Sequence, residues 1–99
     1  MSQEFKLIAT LDLKQDAWEK ISAVVNECVA LTRQEEGNQF YAAHFERGNQ
    51  NRVVFIEHWA NQEAFDLHMQ TDHFLNLSKT VEPYLERPMQ ILFLTEIKE

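Results

Sequence analysis

The sequence predicts an α+β fold in which one antiparallel sheet carries helices on one side. Four short stretches read as strands, the first with apolar residues at strict period two and all four carrying apolar residues on both faces, and two of the segments between them repeat apolar residues every three or four positions. Only 2 Gly and 2 Pro occur, which leaves no room for long linkers, so residues 1–99 read as a single domain.

The first strand runs from Phe5 to Leu13, with Phe5, Leu7, Ala9, Leu11 and Leu13 on one face and Ile8 and Thr10 on the other. Asp16, followed three residues later by Glu19, has the form of a helix N-cap, because side-chain carboxylates there meet the unpaired amides of the first turn. Trp18, Ile21, Val24, Val25, Cys28 and Leu31 then keep helical spacing to about Arg33. Gly37 is expected to stop this helix in a left-handed conformation. Gln39 to Glu46 is the second strand, with Phe40, Ala42 and His44 opposite Tyr41, Ala43 and Phe45. Gly48 to Asn51 has the composition of a turn, and Arg52 to Trp59 completes an antiparallel hairpin. Asn61 caps a short helix bearing Ala64, Phe65 and His68. Thr71 caps a second one, with Phe74, Leu77, Val81 and, at its margin, Leu85 turned inward. Pro83 and Pro88 break that helix, and Met89 to Ile97 forms the last strand.

The order β-α-β-β-α-β, with its second α split, is the ferredoxin-like arrangement of a four-stranded antiparallel sheet with helices on one face. Yet the strands are apolar on both faces, as Ile8, Val54, Ile56, Leu92 and Leu94 show. An apolar sheet face left uncovered by helices predicts an interaction surface, here a homodimer packed sheet on sheet.

The net charge of −7, from 16 acidic against 9 basic residues, argues against nucleic acid as a partner, since phosphate backbones require clustered cations. Cys28 is the sole cysteine, so neither an internal disulfide nor a cysteine-based zinc cage can form. No stretch has signal-peptide character or approaches the roughly 20 apolar residues that span a bilayer. A cytoplasmic location with no membrane partner is expected.

Chemistry concentrates between Phe55 and Phe74, a run that holds three of the four histidines. His68 follows Ala64 and Phe65 at helical spacing and faces inward, where an imidazole titrating near neutrality can accept a proton or simply bond a backbone carbonyl. His73 follows the Thr71 cap and either fixes the helix junction or shares the chemistry. The i, i+5 spacing of His68 and His73 does not place them on one helical face and no third ligand is evident, so no metal site is expected. Strand parity puts Val53, Phe55, Glu57 and Trp59 on one face and sends His58 to the other. Glu57 among apolar neighbours is a general base or, preferably, a salt-bridged structural carboxylate. Trp59 at a strand end is more often a core residue than a catalytic one, although an indole N–H aimed into a cavity would orient a substrate oxygen.

The stretches TRQEEGNQFY (32–41), FIEHWANQEAFDLHMQTDHF (55–74) and VEPYLERPMQILFL (81–94) resemble the antibiotic biosynthesis monooxygenase domain, with its glutamate-glycine turn, E-x-W strand end and H-x-x-T-x-H helix junction. The resemblance runs from about Phe5 to Ile97. It implies a dimeric α/β barrel with a pocket in each subunit, and an activity like that of quinol monooxygenases, which oxidise electron-rich aromatic substrates with dioxygen and no cofactor. His68, His73 and Glu57 are then the catalytic candidates, and Trp59, Phe55, Tyr41, Phe65 and Phe74 the substrate-binding wall. Haem-cleaving relatives would need an axial histidine near position 78, which is Ser78, and an asparagine near Leu11, so haem chemistry is disfavoured. Relatives acting on a phosphorylated autoinducer would need gathered cations, whereas Arg33, Arg47, Arg52, Lys79 and Arg87 are scattered along the chain. A non-catalytic ligand-binding or stress-response module is the reading from another class.

Overall fold

The computed structural model describes residues 3–98. Its elements are β1 (Phe5–Asp12), α1 (Trp18–Thr32), β2 (Asn38–Glu46), β3 (Asn49–Trp59), α2 (Gln62–His68), α3 (Asp72–Val81), a 3-10 turn at Glu82–Tyr84 and β4 (Gln90–Leu94). The strands form one antiparallel sheet in the order β2-β3-β1-β4, which is the ferredoxin-like arrangement expected from the periodicities. Parity decides the core. Leu7, Ala9 and Leu11 of β1 and Val53, Phe55, Glu57 and Trp59 of β3 face the helices and are buried, closed over by Ile21, Val25 and Cys28 of α1 and by Leu77 and Val81 of α3.

Several boundaries differ from the sequence-based expectation, each for a local reason. On α1 the inner stripe ends at Thr32, which is fully buried, while Leu31 is 39% exposed. Eleven residues are about three helical turns, so Thr32 lies in line with Ile21 and Leu31 lies well round the barrel of the helix. Asp16 is not the N-cap: Ala17 holds that position without a side-chain cap bond, and Asp16 stands in the left-handed region at φ 62°. Asp tolerates that region better than most residues, and the buried Ala17 fixes where the helix begins. The β2–β3 turn is only Arg47-Gly48, since Asn49 already pairs with Glu46, and Gly48 supplies the positive φ that two-residue loops favour. The last strand stops at Leu94, short of Ile97.

Gly37 is not left-handed either, and its absence of side chain serves a close approach instead. A Cβ at this position would meet the Cβ of Ala64 on α2. The Ala60 N–H donates to the Gly37 carbonyl at 2.9 Å, so the turn after α1 is docked on the start of α2. Gly37→Ala is therefore expected to lower stability by about 1–3 kcal/mol through overpacking, measurable as a reduced urea midpoint at unchanged slope. Wild-type stability in that variant would show that the two segments separate freely.

On the face away from the helices, Ala42, Ile56, Ile8 and Leu92 stand in register across all four strands. Ile56 is 37% and Leu92 60% exposed, and Phe40 and Leu94 extend the same apolar face. No helix among the described residues is long and apolar enough to cross a membrane.

Candidate active site

The helix that follows β3 is broken in two by its own capping chemistry. Asn61 Oδ1 accepts the Ala64 N–H at 2.8 Å to start α2, and Thr71 Oγ1 accepts the Phe74 N–H at 3.2 Å to start α3. The Thr71 hydroxyl also donates to the His68 carbonyl at 2.8 Å, which closes the end of α2. His68 and His73 thus stand on different helices, and their i, i+5 separation does not keep them apart. Both reach one atom, Oε2 of Glu35 in the turn after α1, with His68 Nδ1 at 2.8 Å and His73 Nε2 at 2.6 Å. The contact at Gly37 is what holds that turn beside α2.

A carboxylate oxygen accepts hydrogen bonds, so Nδ1 of His68 and Nε2 of His73 carry the shared protons. This leaves Nε2 of His68 with a lone pair, the tautomer logic by which a carboxylate orients a catalytic imidazole. His68 is 1% exposed and lies among rings, with centroid distances of 4.8 Å to Trp59, 5.1 Å to Phe74 and 5.5 Å to Tyr41. Burial pushes its pKa below the ordinary histidine value, and the Glu35 carboxylate pulls the other way without overcoming it. A neutral imidazole at neutral pH follows.

Glu57 is buried without an ion pair among the described residues, so the salt-bridged role favoured from the sequence is not the one it has. Its Oε1 accepts the Trp59 indole N–H at 2.9 Å, and desolvation raises its pKa to about 7. That bond directs the Trp59 N–H at Glu57, and the fully buried ring stands in the core, the place its strand end favours. The Tyr41 hydroxyl is buried against Cys28 Sγ at 3.7 Å, and burial raises the pKa of both groups.

Tyr41, Phe55, Glu57, Phe65, His68 and Phe74 line one narrow cleft between the sheet and the α2–α3 pair, whereas Trp59 and His73 stand outside its wall. The cleft measures only about 10 Å³, room for one water at most. Met69 and Met89 also line it, with unbranched side chains of the kind that fill irregular gaps. A larger hollow of about 470 Å³ lies against Lys6, His58, Leu94 and Ile97, on the other side of the sheet from His68 and Glu57. Neither Arg nor Lys lines the cleft. Arg52 and Arg87 instead converge on Asp12 at 2.7 and 3.0 Å, toward the far end of β1, and together hold its carboxyl below the usual range.

Glu35 is the member of this cluster that sequence reasoning missed. The acidic pair before Gly37 was the available signal, but nothing in it says which carboxylate turns inward.

Comparison with known proteins agrees with this architecture. The family model for antibiotic biosynthesis monooxygenase matches residues 5–80. The chain is 28% identical over 93 residues to YcnE of Bacillus subtilis, a provisionally named monooxygenase, covering 94% of this chain and 97% of that protein. The solved structure of PA3566 from Pseudomonas aeruginosa superposes with a TM-score of 0.88 at 30% identity, covering 99% of this chain and 98% of that one. Rv0793 from Mycobacterium tuberculosis does so with a TM-score of 0.88 at 25% identity, covering 98% of both chains.

Proposed function

This chain belongs to the antibiotic biosynthesis monooxygenase family, and on that premise we propose that it oxidises a small hydroquinone-like aromatic substrate with dioxygen and without a cofactor. The observation that carries the proposal is a buried, neutral His68 whose Nδ1–H is held by Glu35 at the wall of an aromatic-lined cleft. The free Nε2 takes the phenolic proton. The resulting anion is electron-rich enough to pass an electron to dioxygen. Recombination forms a carbon–oxygen bond to the ring, and cleavage of the peroxide releases water. One oxygen atom enters the substrate, the other leaves as water, and the hydroquinone supplies the electrons. Phe55, Phe65, Phe74 and Tyr41 exclude bulk water and stack the ring.

Oxygen consumption by the purified protein against benzo- and naphthohydroquinones, corrected for autoxidation, tests this reading. Uptake no faster than in protein-free buffer overturns it and leaves the non-catalytic binding module. The isomerase reading for a phosphorylated substrate lacks support in the cleft, because a phosphate there would meet carboxylate and aromatic groups and no cation.

The functional unit is a homodimer joined through the outer sheet face. The row Ala42–Ile56–Ile8–Leu92 and the flanking Phe40 and Leu94 give each copy the same apolar patch, as a two-fold interface requires. Sedimentation should show a dimer at micromolar concentration and a monomer for Ile56→Lys, which places a charge at the middle of the row. A wild-type monomer at that concentration would be incompatible with the assembly.

A further inference from the structure

We propose that Glu35, His68 and His73 form a binding site for one divalent first-row transition-metal ion, of the Zn²⁺ or Co²⁺ type. The ligand atoms come from three separate segments, the turn after α1, the end of α2 and the start of α3, and all lie within 4.8 Å of one another. Two imidazole nitrogens and a carboxylate oxygen are a donor set that such ions accept, and three protein ligands leave a coordination position for water or an anion. The hydrogen-bonded arrangement is the metal-free form. In a tetrahedral site with bonds of about 2.0–2.1 Å the ligand atoms stand roughly 3.3 Å apart. The two observed contacts to Glu35 Oε2, 2.8 and 2.6 Å, therefore open by a fraction of an ångström when an ion replaces the protons between them. Glu35 sits in a turn and retains some solvent exposure, so it can open those contacts and gives the ion a way in, while the two imidazole nitrogens, up to 4.8 Å apart, draw together by up to about 1.5 Å as the ion binds. Neither Lys nor Arg lines the adjoining cleft to repel a cation.

Coordination has a chemical consequence for the function proposed above, and that consequence rests on it. A metal on Nδ1 of His68 moves the ring proton to Nε2. The nitrogen that accepts the phenolic proton in the metal-free protein then becomes a donor, and the ion shuts off the oxidation. Metal binding itself does not depend on the catalytic reading.

The test uses untagged protein stripped by a chelator and titrated with Co²⁺, whose visible d–d bands report ordered nitrogen and oxygen ligands. One Co²⁺ per chain is expected, with affinity at least about tenfold weaker in Glu35→Gln and in His73→Gln. His44→Gln and His58→Gln, which alter imidazoles on the outer face, should bind as the wild type does. A second measurement needs no variant: long-range ¹H–¹⁵N spectra of the imidazoles should show the His68 proton moving from Nδ1 to Nε2 on addition of Zn²⁺. Absence of Co²⁺ bands, an affinity unaltered in His73→Gln, or an unchanged His68 tautomer at saturating Zn²⁺ overturns the site and leaves a hydrogen-bonded triad alone. Protein that binds Co²⁺ but consumes no oxygen keeps the metal site and rejects the catalytic reading. Protein that consumes oxygen but binds no Co²⁺ does the reverse.

Discussion

Replacing His68 by Ala or by Phe is expected to lower protein-dependent oxygen uptake by about 10²–10⁴-fold, the range lost when a positioned general base is removed. The two variants separate chemistry from packing. Ala opens a hole among Trp59, Phe74 and Tyr41, whereas Phe keeps a ring, somewhat larger than imidazole, in contact with them and removes the nitrogens. A Phe variant that still consumed oxygen at the wild-type rate would take His68 out of the mechanism.

The pH profile carries more information than the rate. His68 acts in its neutral form, and burial places its pKa below the usual value near 6.5, so activity should rise along an acid limb lying below that pH and level off above it. Glu35→Gln removes the carboxylate that raises this pKa. The limb should therefore move to still lower pH while the plateau falls by on the order of 10²-fold, because the imidazolium that forms on proton transfer loses its counter-charge. An acid limb that stayed where it was would mean that Glu35 does not hold the proton on His68 Nδ1 in the working enzyme.

How this site could be read from the sequence depends on the range of each signal. Period-two alternation placed Val53, Phe55, Glu57 and Trp59 on one face, and all four are buried together. The short-range capping patterns of Asn61 and Thr71 likewise correspond to observed hydrogen bonds. Signals that depend on tertiary contact failed. Gly37 looked like a helix stop because glycine commonly serves there, but its neighbour in space is Ala64. Asp16 had cap spacing, yet the burial of Ala17 set the helix start. Glu35 lies 33 positions before His68 and 38 before His73, and no local pattern joins them. Parity puts Glu57 and Trp59 on one face, but which partner the indole N–H takes depends on side-chain packing that the alternation does not specify.

Glu57→Gln should raise stability at alkaline pH and remove a pH dependence that the wild type carries. The folded carboxyl has its pKa raised to about 7 by burial, against 4.5 unperturbed. Between those values the folded chain holds a proton that the unfolded chain has released, so stability falls as pH rises through that window. Full ionisation above it costs on the order of 3 kcal/mol. Gln retains an oxygen to accept the Trp59 N–H and carries no charge. His68 contributes an opposite slope: its lowered folded pKa costs stability as pH falls below about 6.5, where the unfolded imidazole protonates first. That contribution is common to both proteins and cancels in their difference. Urea denaturation at intervals from pH 4.5 to 8 should therefore show the variant's advantage growing with pH toward that magnitude. A difference that stays flat would mean that Glu57 ionises as readily when folded as when unfolded. The same variant arbitrates between the two buried groups that could accept a proton. If oxygen uptake fell in Glu57→Gln as far as in His68→Phe, the base would be the carboxylate, with His68 and Glu35 holding the cleft around it.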